Sequence, residues 1–262
     1  MLGGAVRSVV AAVNALRAYG SALETPIDVV RYARLRLAKA WSSPAASRRP
    51  PVPLRVRALN GLPMLCRASQ DVWTFKYTFV SQFHLPPVAL REGALILDLG
   101  SNVGYTVAHL AQVHPTARVI GVEMDAANFT LAELNTAAYG ERVRLVHAAV
   151  WTHDGEIAYG GEGDDAFAVS GDTGPRRAPA MRVDTILAAH GVTQVDYVKM
   201  DVEGAEAAIL AEPAEWLDRV RAMKVEIHPP ATMESIRNVL EARGFTCSVD
   251  AHHPRCLVAL RP

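Results

Sequence analysis

The stretch "ALILDLGSNVGYTVAHLAQVH", residues 94–114, decides the fold. Its first part, Ala94 to Leu99, is an almost unbroken apolar run, too short for a helix. Such a run suits a strand buried on both faces. Gly100 and Gly104 interrupt it, and "VGYTVAHLAQVH" (103–114) then shows helical periodicity. A strand, a glycine turn and a helix in that order open a βαβ unit.

The same alternation continues outward. "RVIGVEM" (118–124) reads as a second strand, and "AANFTLAELNTAAYG" (126–140) as a helix with a glycine stop. "VRLVHAAV" (143–150) is a third strand, followed by a Gly/Asp-rich stretch, 154–183, with weak strand pieces. "RVDTILAAHG" (182–191) is a helix, "VDYVKMD" (195–201) a fourth strand and "AEAAILAEP" its helix. "RAMKVEIH" (221–228) is a fifth strand, and "TMESIRNVLEARG" (232–244) a helix. "FTCSVD" and "CLVALR" close the chain as a strand pair. The pattern predicts an α/β fold, a parallel sheet covered on both faces with an antiparallel edge. No internal repeat is visible.

Upstream the pattern is different. Val6, Val9, Val10, Val13 and Leu16 follow helical spacing opposite Arg7, Asn14 and Arg17. Thr25-Pro26-Ile27-Asp28 is a helix start, with a Thr cap, Pro at the first position and an acid at the third; the helix runs to about Trp41. "SSPAASRRPPVP" (42–53) has linker composition, Asn60-Gly61 marks a hairpin within 54–68, and a short helix covers 71–82. The domain reading is a basic helical extension with its linker, 1–52, and an α/β domain, 53–262.

The 262 residues carry 27 basic and 27 acidic side chains, a balance that argues against a general nucleic-acid binder. The charge is unevenly spread: residues 1–60 hold ten Arg/Lys against two acids, Glu24 and Asp28. A basic arm of this kind suits a solvated face, peripheral contact with an anionic membrane, or a homodimer contact. Arg outnumbers Lys 23 to 4, which fits a GC-rich coding bias. Cys66, Cys247 and Cys256 have no metal-ligand spacing, and an odd count fits a reduced, cytoplasmic protein. No apolar run reaches the ~18–20 residues that span a bilayer. Arg7 and Asn14 interrupt the apolar N-terminus, which makes it a poor signal sequence.

The chemistry gathers at strand ends. Open α/β sheets bind ligands at the carboxyl ends of strands, where glycines admit a close approach and a helix N-terminus offers free N–H groups. The spacing here is G-x-x-x-G, with Asn102 where a dinucleotide site would place Gly. Glu123 ends the second strand and suits the two hydroxyls of an adenosine ribose. Asp98 faces the same crevice. In "VDYVKMDVEGAEAAIL" (195–210), Tyr197, Lys199 and Asp201 share one face of the strand. Lys224, Glu226 and His228 share a face of the fifth strand, so Lys199 is expected to pair with Glu226. Asp201 and His228 then border the crevice, while Glu203 and Glu206 suit a helix N-terminus.

"ILDLGSNVGYTVAHLA", "VIGVEMDAANF", "VDYVKMDVEGAE" and "KVEIHP" resemble, in order and spacing, the motifs of the FkbM family of S-adenosylmethionine-dependent methyltransferases. The resemblance spans about 70–260, with Ser101 and Met124 in place of the family's usual Ala and Pro. It implies a Rossmann-like class I fold, a mostly parallel seven-stranded sheet with an antiparallel edge. It also implies methyl transfer to a hydroxyl of a saccharide, glycolipid or polyketide-like metabolite. Asp98, Gly100, Ser101, Asn102, Gly104 and Tyr105 would then surround the cofactor turn. Glu123 would hold the ribose, with Met124 and Asn128 nearby and Ala149 flanking adenine, and Asp201 would border the methyl end.

A methyltransferase must hold the acceptor oxygen in line with the methyl and remove its proton. Asp201, His228 and Glu206 are the candidate bases, in that order. The same cluster suits Mg²⁺, although the sequence defines no ligand set. An NAD-dependent oxidoreductase or epimerase, and a non-catalytic scaffold that binds S-adenosylmethionine, are the alternative readings.

Overall fold

The computed structural model describes residues 19–41, 50–160, 168–169, 174–211 and 214–261. The helix expected over 6–16, one part of the basic arm behind the membrane and dimer readings, lies outside these residues, as does most of the linker. The chain divides into two compact units between Gln82 and Phe83, whereas the sequence reading places its boundary at 52/53.

In the first unit, helix α1 (Pro26–Trp41) starts where expected. Asp28 caps it from inside: Thr25 donates its hydroxyl to Asp28 at 2.5 Å, and Arg31 donates at 3.2 Å. Strands β1 (Val52–Arg55) and β2 (Pro63–Cys66) form the expected antiparallel hairpin. Its connection is widened by a 3₁₀ turn over Arg57–Leu59, and Asn60 and Gly61 take left-handed φ angles of 54° and 78°. Helix α2 (Asp71–Lys76) runs on into a π-turn over Tyr77–Ser81. Tyr32, Phe75 and Phe79 stack in series, and the Tyr32 hydroxyl donates to Val72 O at 2.6 Å.

The second unit is built on β3 (Leu95–Leu99), β4 (Arg118–Glu123), β5 (Val143–His147), β10 (Tyr197–Met200), β11 (Ala222–Glu226), β12 (Thr246–Val249) and β13 (Cys256–Leu260). The sheet order is β12-β13-β11-β10-β3-β4-β5. All neighbouring pairs from β11 to β5 are parallel, and β13 runs antiparallel to both its neighbours. This is the mostly parallel, seven-stranded sheet with an antiparallel edge that the sequence implies.

Helices α3 (Tyr105–Val113) and α4 (Ala126–Thr136) follow β3 and β4. Helices α5 (Val183–Ala189), α6 (Glu206–Ala211) and α7 (Met233–Ala242) follow later in the chain. Leu95, Leu97, Leu99, Val198 and Met200 pack with Ile186, Leu187, Ile209, Leu210, Ile236 and Leu240 of these last three helices. All five residues of β3 are buried, which is why no alternation appears in its sequence.

The third predicted strand is two strands. β5 stops at His147, the Ala148 amide turns back to Glu123 O at 3.0 Å, and β6 (Ala149–Val150) pairs instead with β9 (Arg176–Met181). The weak strand pieces of 154–183 form a second sheet, ordered β6-β9-β7-β8, with β7 at Gly155–Gly160 and β8 at Ala168–Val169. Among the described residues no helix is long and apolar enough to cross a membrane.

Candidate functional site

Strand order reverses between β3 and β10, and the loops leaving β3, β4, β10 and β11 gather at their carboxyl ends. That is where a ligand fits an open α/β sheet. A cavity of about 680 Å³ lies at the other edge, against the amino ends of β10 and β11, lined by Arg91, Asp196, Arg219 and Arg261 among others.

The turn after β3 is shaped by β4. The amides of Gly100 and Ser101 both donate to Val122 O, at 3.0 and 2.9 Å. The Glu123 carboxylate accepts the Asn102 amide at 2.8 Å and the Asp125 amide at 2.8 Å. Burial pushes the Glu123 carboxyl up to about 7, against the pull of these two amides. Gly100 has a different task from the one its position suggests. With φ +83°, a Cβ placed there would stand 1.8 Å from Asp201 O, so the missing side chain makes room for the backbone that leaves β10.

Asn102 sits in the left-handed region (φ 48°), and its Oδ1 is buried without a hydrogen-bond partner. Ser101 Oγ is also buried and unpartnered, 3.2 Å from where a Cβ on Gly121 would stand; it faces β4. Gly104 caps α3 and packs against Ala132 of α4. Tyr105 is fully buried. Asp98 is fully buried too, accepting the Thr106 hydroxyl and lying 3.3 Å from Lys199 Nζ. Met124 packs between the Ala149–Ile157–Ala180 cluster and Tyr159 with Ala178. Asn128 is buried, its amide held at 3.0 Å by the Asp125 carboxylate that caps α4.

Several neighbours carried no signal in the sequence. Tyr159 and Arg176, from the second sheet, donate to Asp125 Oδ2 at 3.2 and 2.9 Å. His147 stacks on Phe129 at 4.9 Å, and its Nε2 lies 3.1 Å from Met124 O. Asp125 alone had a local signal, an acid just before a helical run, which the sequence reading above does not use.

A second group stands at the ends of β10 and β11. Lys199 donates to Gly100 O at 2.8 Å and lies 3.3 Å from both Asp98 and Asp201. Burial opposes its charge, but Asp98 and Asp201 outweigh that and hold the ammonium well above its ordinary range. The expected Lys199–Glu226 pair does not form. Glu226 instead accepts from Arg255 at 2.9 Å and faces His228 at 3.7 Å. Lys199→Met is expected to destabilise the fold by about 3 kcal/mol, because Asp98 would keep a buried charge without its cation; urea unfolding measures this.

His228 is the hub. Its Nδ1 meets Glu206 Oε1 at 2.9 Å, while Nε2 faces Glu203 at 3.6 Å, Glu226 at 3.7 Å and Asp201 at 3.9 Å. Burial alone would lower this histidine; the Glu206 hydrogen bond and the charges of Asp201 and Glu203 raise it to about 9. Glu206, at 0 % exposure, cannot meet an acceptor: it stands behind His228 and orients the ring. Asp201 keeps 28 % of its side chain exposed and Glu203 32 %. Glu203 reaches the ring from a left-handed backbone (φ 51°), costly for a glutamate. Gly204 follows at φ +100°, with Pro229 O 3.1 Å from its would-be Cβ, so the two loops run close together.

S-adenosylmethionine needs an acceptor for its ribose hydroxyls, an apolar wall for adenine and polar atoms for its amino-acid end. The unpartnered buried Asn102 Oδ1, the remaining lone pairs of Glu123 and the Met124–Ala149 surface fit these requirements.

The model of the methyltransferase FkbM domain matches residues 98–247. The chain is 27 % identical over 173 residues to the 2-O-methyltransferase NoeI of Sinorhizobium fredii, covering 58 % of this chain and 71 % of that protein. It is 24 % identical over 196 residues to the 31-O-demethyl-FK506 methyltransferase FkbM of Streptomyces tacrolimicus, covering 61 % and 75 %. Among solved structures it is similar to a precorrin-6y C5,15-methyltransferase of Geobacter metallireducens. There the TM-score is 0.43 and the identity 12 %, over 66 % of this chain and 82 % of that one. The family match sets the nicotinamide reading aside. The matched residues include the turn after β3, Glu123 and the β10–α6 loop: the chain belongs to the FkbM methyltransferase family and is a methyltransferase dependent on S-adenosylmethionine.

Proposed function

We propose that the chain methylates a hydroxyl of a saccharide, glycolipid or polyketide-like metabolite, with Asp201 at the acceptor oxygen. The observation that carries this reading is the placement of Asp201. It is the carboxylate at the end of β10 beside the glycine turn, partly exposed, with one oxygen held 3.3 Å from Lys199 and the other turned toward His228. The names of the two relatives, both methyltransferases acting at oxygen, support it.

When bound, S-adenosylmethionine supplies an electrophilic methyl on sulfur. The chain must hold the acceptor oxygen in line with it, and such positioning is worth roughly 7–11 kcal/mol of barrier. Asp201 would take the hydroxyl proton as the acceptor oxygen receives the methyl. His228, held at about 9, already carries its proton at neutral pH and instead steadies the surrounding carboxylates. The second sheet borders Met124 through Tyr159 and Ala178, so its connections are where acceptor selection is expected.

Incubation with methyl-labelled S-adenosylmethionine and a panel of hydroxylated glycans, glycolipids and macrolides tests the reading. Label in an O-methyl product supports it. Cofactor binding without transfer to any acceptor would favour the scaffold reading instead.

Glu123 yields a pH prediction. A carboxyl raised to about 7 is mostly ionised at pH 8 and mostly protonated at pH 6. Ribose hydroxyls donate more strongly to the ionised form. Affinity for S-adenosylmethionine is therefore expected to fall as pH drops through 7, by up to about tenfold for one unit. Calorimetry at the two pH values measures this. The Glu123→Gln variant should bind more weakly and lose this part of the pH dependence.

A further inference from the structure

We propose that Asp201, Glu203 and His228 form a binding site for one divalent cation of the Mg²⁺/Mn²⁺ class. The proposal deepens the reading above and rests on it for what the cation would do, not for whether it binds. One donor atom from each residue lies within 4.8 Å of the others. His228 Nε2 is 3.6 Å from Glu203 Oε2 and 3.9 Å from Asp201 Oδ1. Donors at about 2.1 Å from a shared octahedral ion stand about 3 Å apart, so bringing the two Nε2–oxygen distances to that value takes shifts of less than about 1 Å.

The imidazole is arranged as a ligand once Nε2 has released to solvent the proton that it carries in the cation-free protein. Its Nδ1 is engaged by the fully buried Glu206 at 2.9 Å, which aims Nε2 at the two carboxylates. A carboxylate behind a histidine fixes the ring and makes it a better donor. The flanking cations need not move. Lys199 stays on Asp201 Oδ2 at 3.3 Å, and Arg255 on Glu226 at 2.9 Å. Two carboxylate oxygens with one imidazole nitrogen favour a hard ion that tolerates nitrogen, for which Mn²⁺ is the natural probe. Asp201 and Glu203 are about a third exposed, which leaves coordination positions for water and for an acceptor oxygen. A cation there would acidify that hydroxyl and ease the proton transfer assigned to Asp201.

The test is a Mn²⁺ titration of the full chain, following loss of the free-ion signal by electron paramagnetic resonance, beside calorimetry with S-adenosylmethionine. One Mn²⁺ per chain is expected, with affinity reduced at least about tenfold in Glu203→Gln and in the isosteric Asp201→Asn. Absence of stoichiometric uptake by the wild type at millimolar Mn²⁺, or uptake that neither substitution weakens, overturns the proposal. Circular dichroism reports whether each variant folds, and the wild-type titration decides even where one does not. Mn²⁺ uptake without cofactor binding would remove the methyltransfer reading and keep the site; cofactor binding without Mn²⁺ uptake would do the reverse.

Discussion

Asp201→Asn should lower methyl transfer by about 10²- to 10⁴-fold, the range for loss of a positioned general base, while cofactor affinity stays close to that of the wild type. The amide matches the carboxylate in shape, so the loop after β10 has no steric reason to move. Lys199 loses one of its two carboxylates but keeps Asp98 and the Gly100 carbonyl, at 3.3 and 2.8 Å. The fold should therefore survive, and the loss should appear in kcat rather than in S-adenosylmethionine binding. Glu206→Gln provides the contrast. It disturbs the orientation of His228 without touching the acceptor, so its effect on kcat should be the smaller. Single-turnover transfer of labelled methyl measures both. An Asp201→Asn enzyme with wild-type turnover would take Asp201 out of the chemistry.

The second large effect belongs to Gly100. Gly100→Ala puts a methyl group 1.8 Å from Asp201 O and 2.9 Å from Asp201 C. Both are backbone atoms, so no side-chain rotation relieves the overlap, and β3 or β10 must shift. A residue with a side chain also pays for the left-handed backbone, here φ +83°. Together the two should cost about 4–5 kcal/mol, at the far end of single-substitution effects. Whatever folded protein remains would carry Asp201 out of place and transfer little methyl. Urea unfolding monitored by circular dichroism measures the first effect, and transfer assays the second. Gly104→Ala should be milder, since the nearest atoms of Ala132 lie at 3.0 Å. A wild-type unfolding midpoint for Gly100→Ala would refute the packing argument.

Gly100 also shows how far one sequence can be read. Its place after an apolar strand marks a turn at the ligand end of the sheet, and a turn is there. The atom that forbids a side chain is a carbonyl about a hundred residues away, and no local pattern names it. Lys199 is a similar case. Alternation along β10 correctly places it on the face of Asp201. Its partner depends on what lies beside it. On β11 the residue in register is Lys224, with Glu226 two positions further along; on β3 it is Asp98. The ion pair therefore runs toward β3.

What the sequence determined by itself is what short-range periodicity and spacing encode. Those are the strands and helices from Leu95 onward, the parallel sheet with its antiparallel edge, and the positions of Glu123 and Asp201 at strand ends. Each follows from which residues are apolar and at what interval. Tertiary structure alone decided the partners. It set Glu206 behind His228, turned Glu203 toward the same ring, broke the third predicted strand at Ala148 and brought Tyr159 and Arg176 onto Asp125. The physical reason is that burial and hydrogen bonding act between segments distant in the chain, and only strand order and register bring those segments to one place.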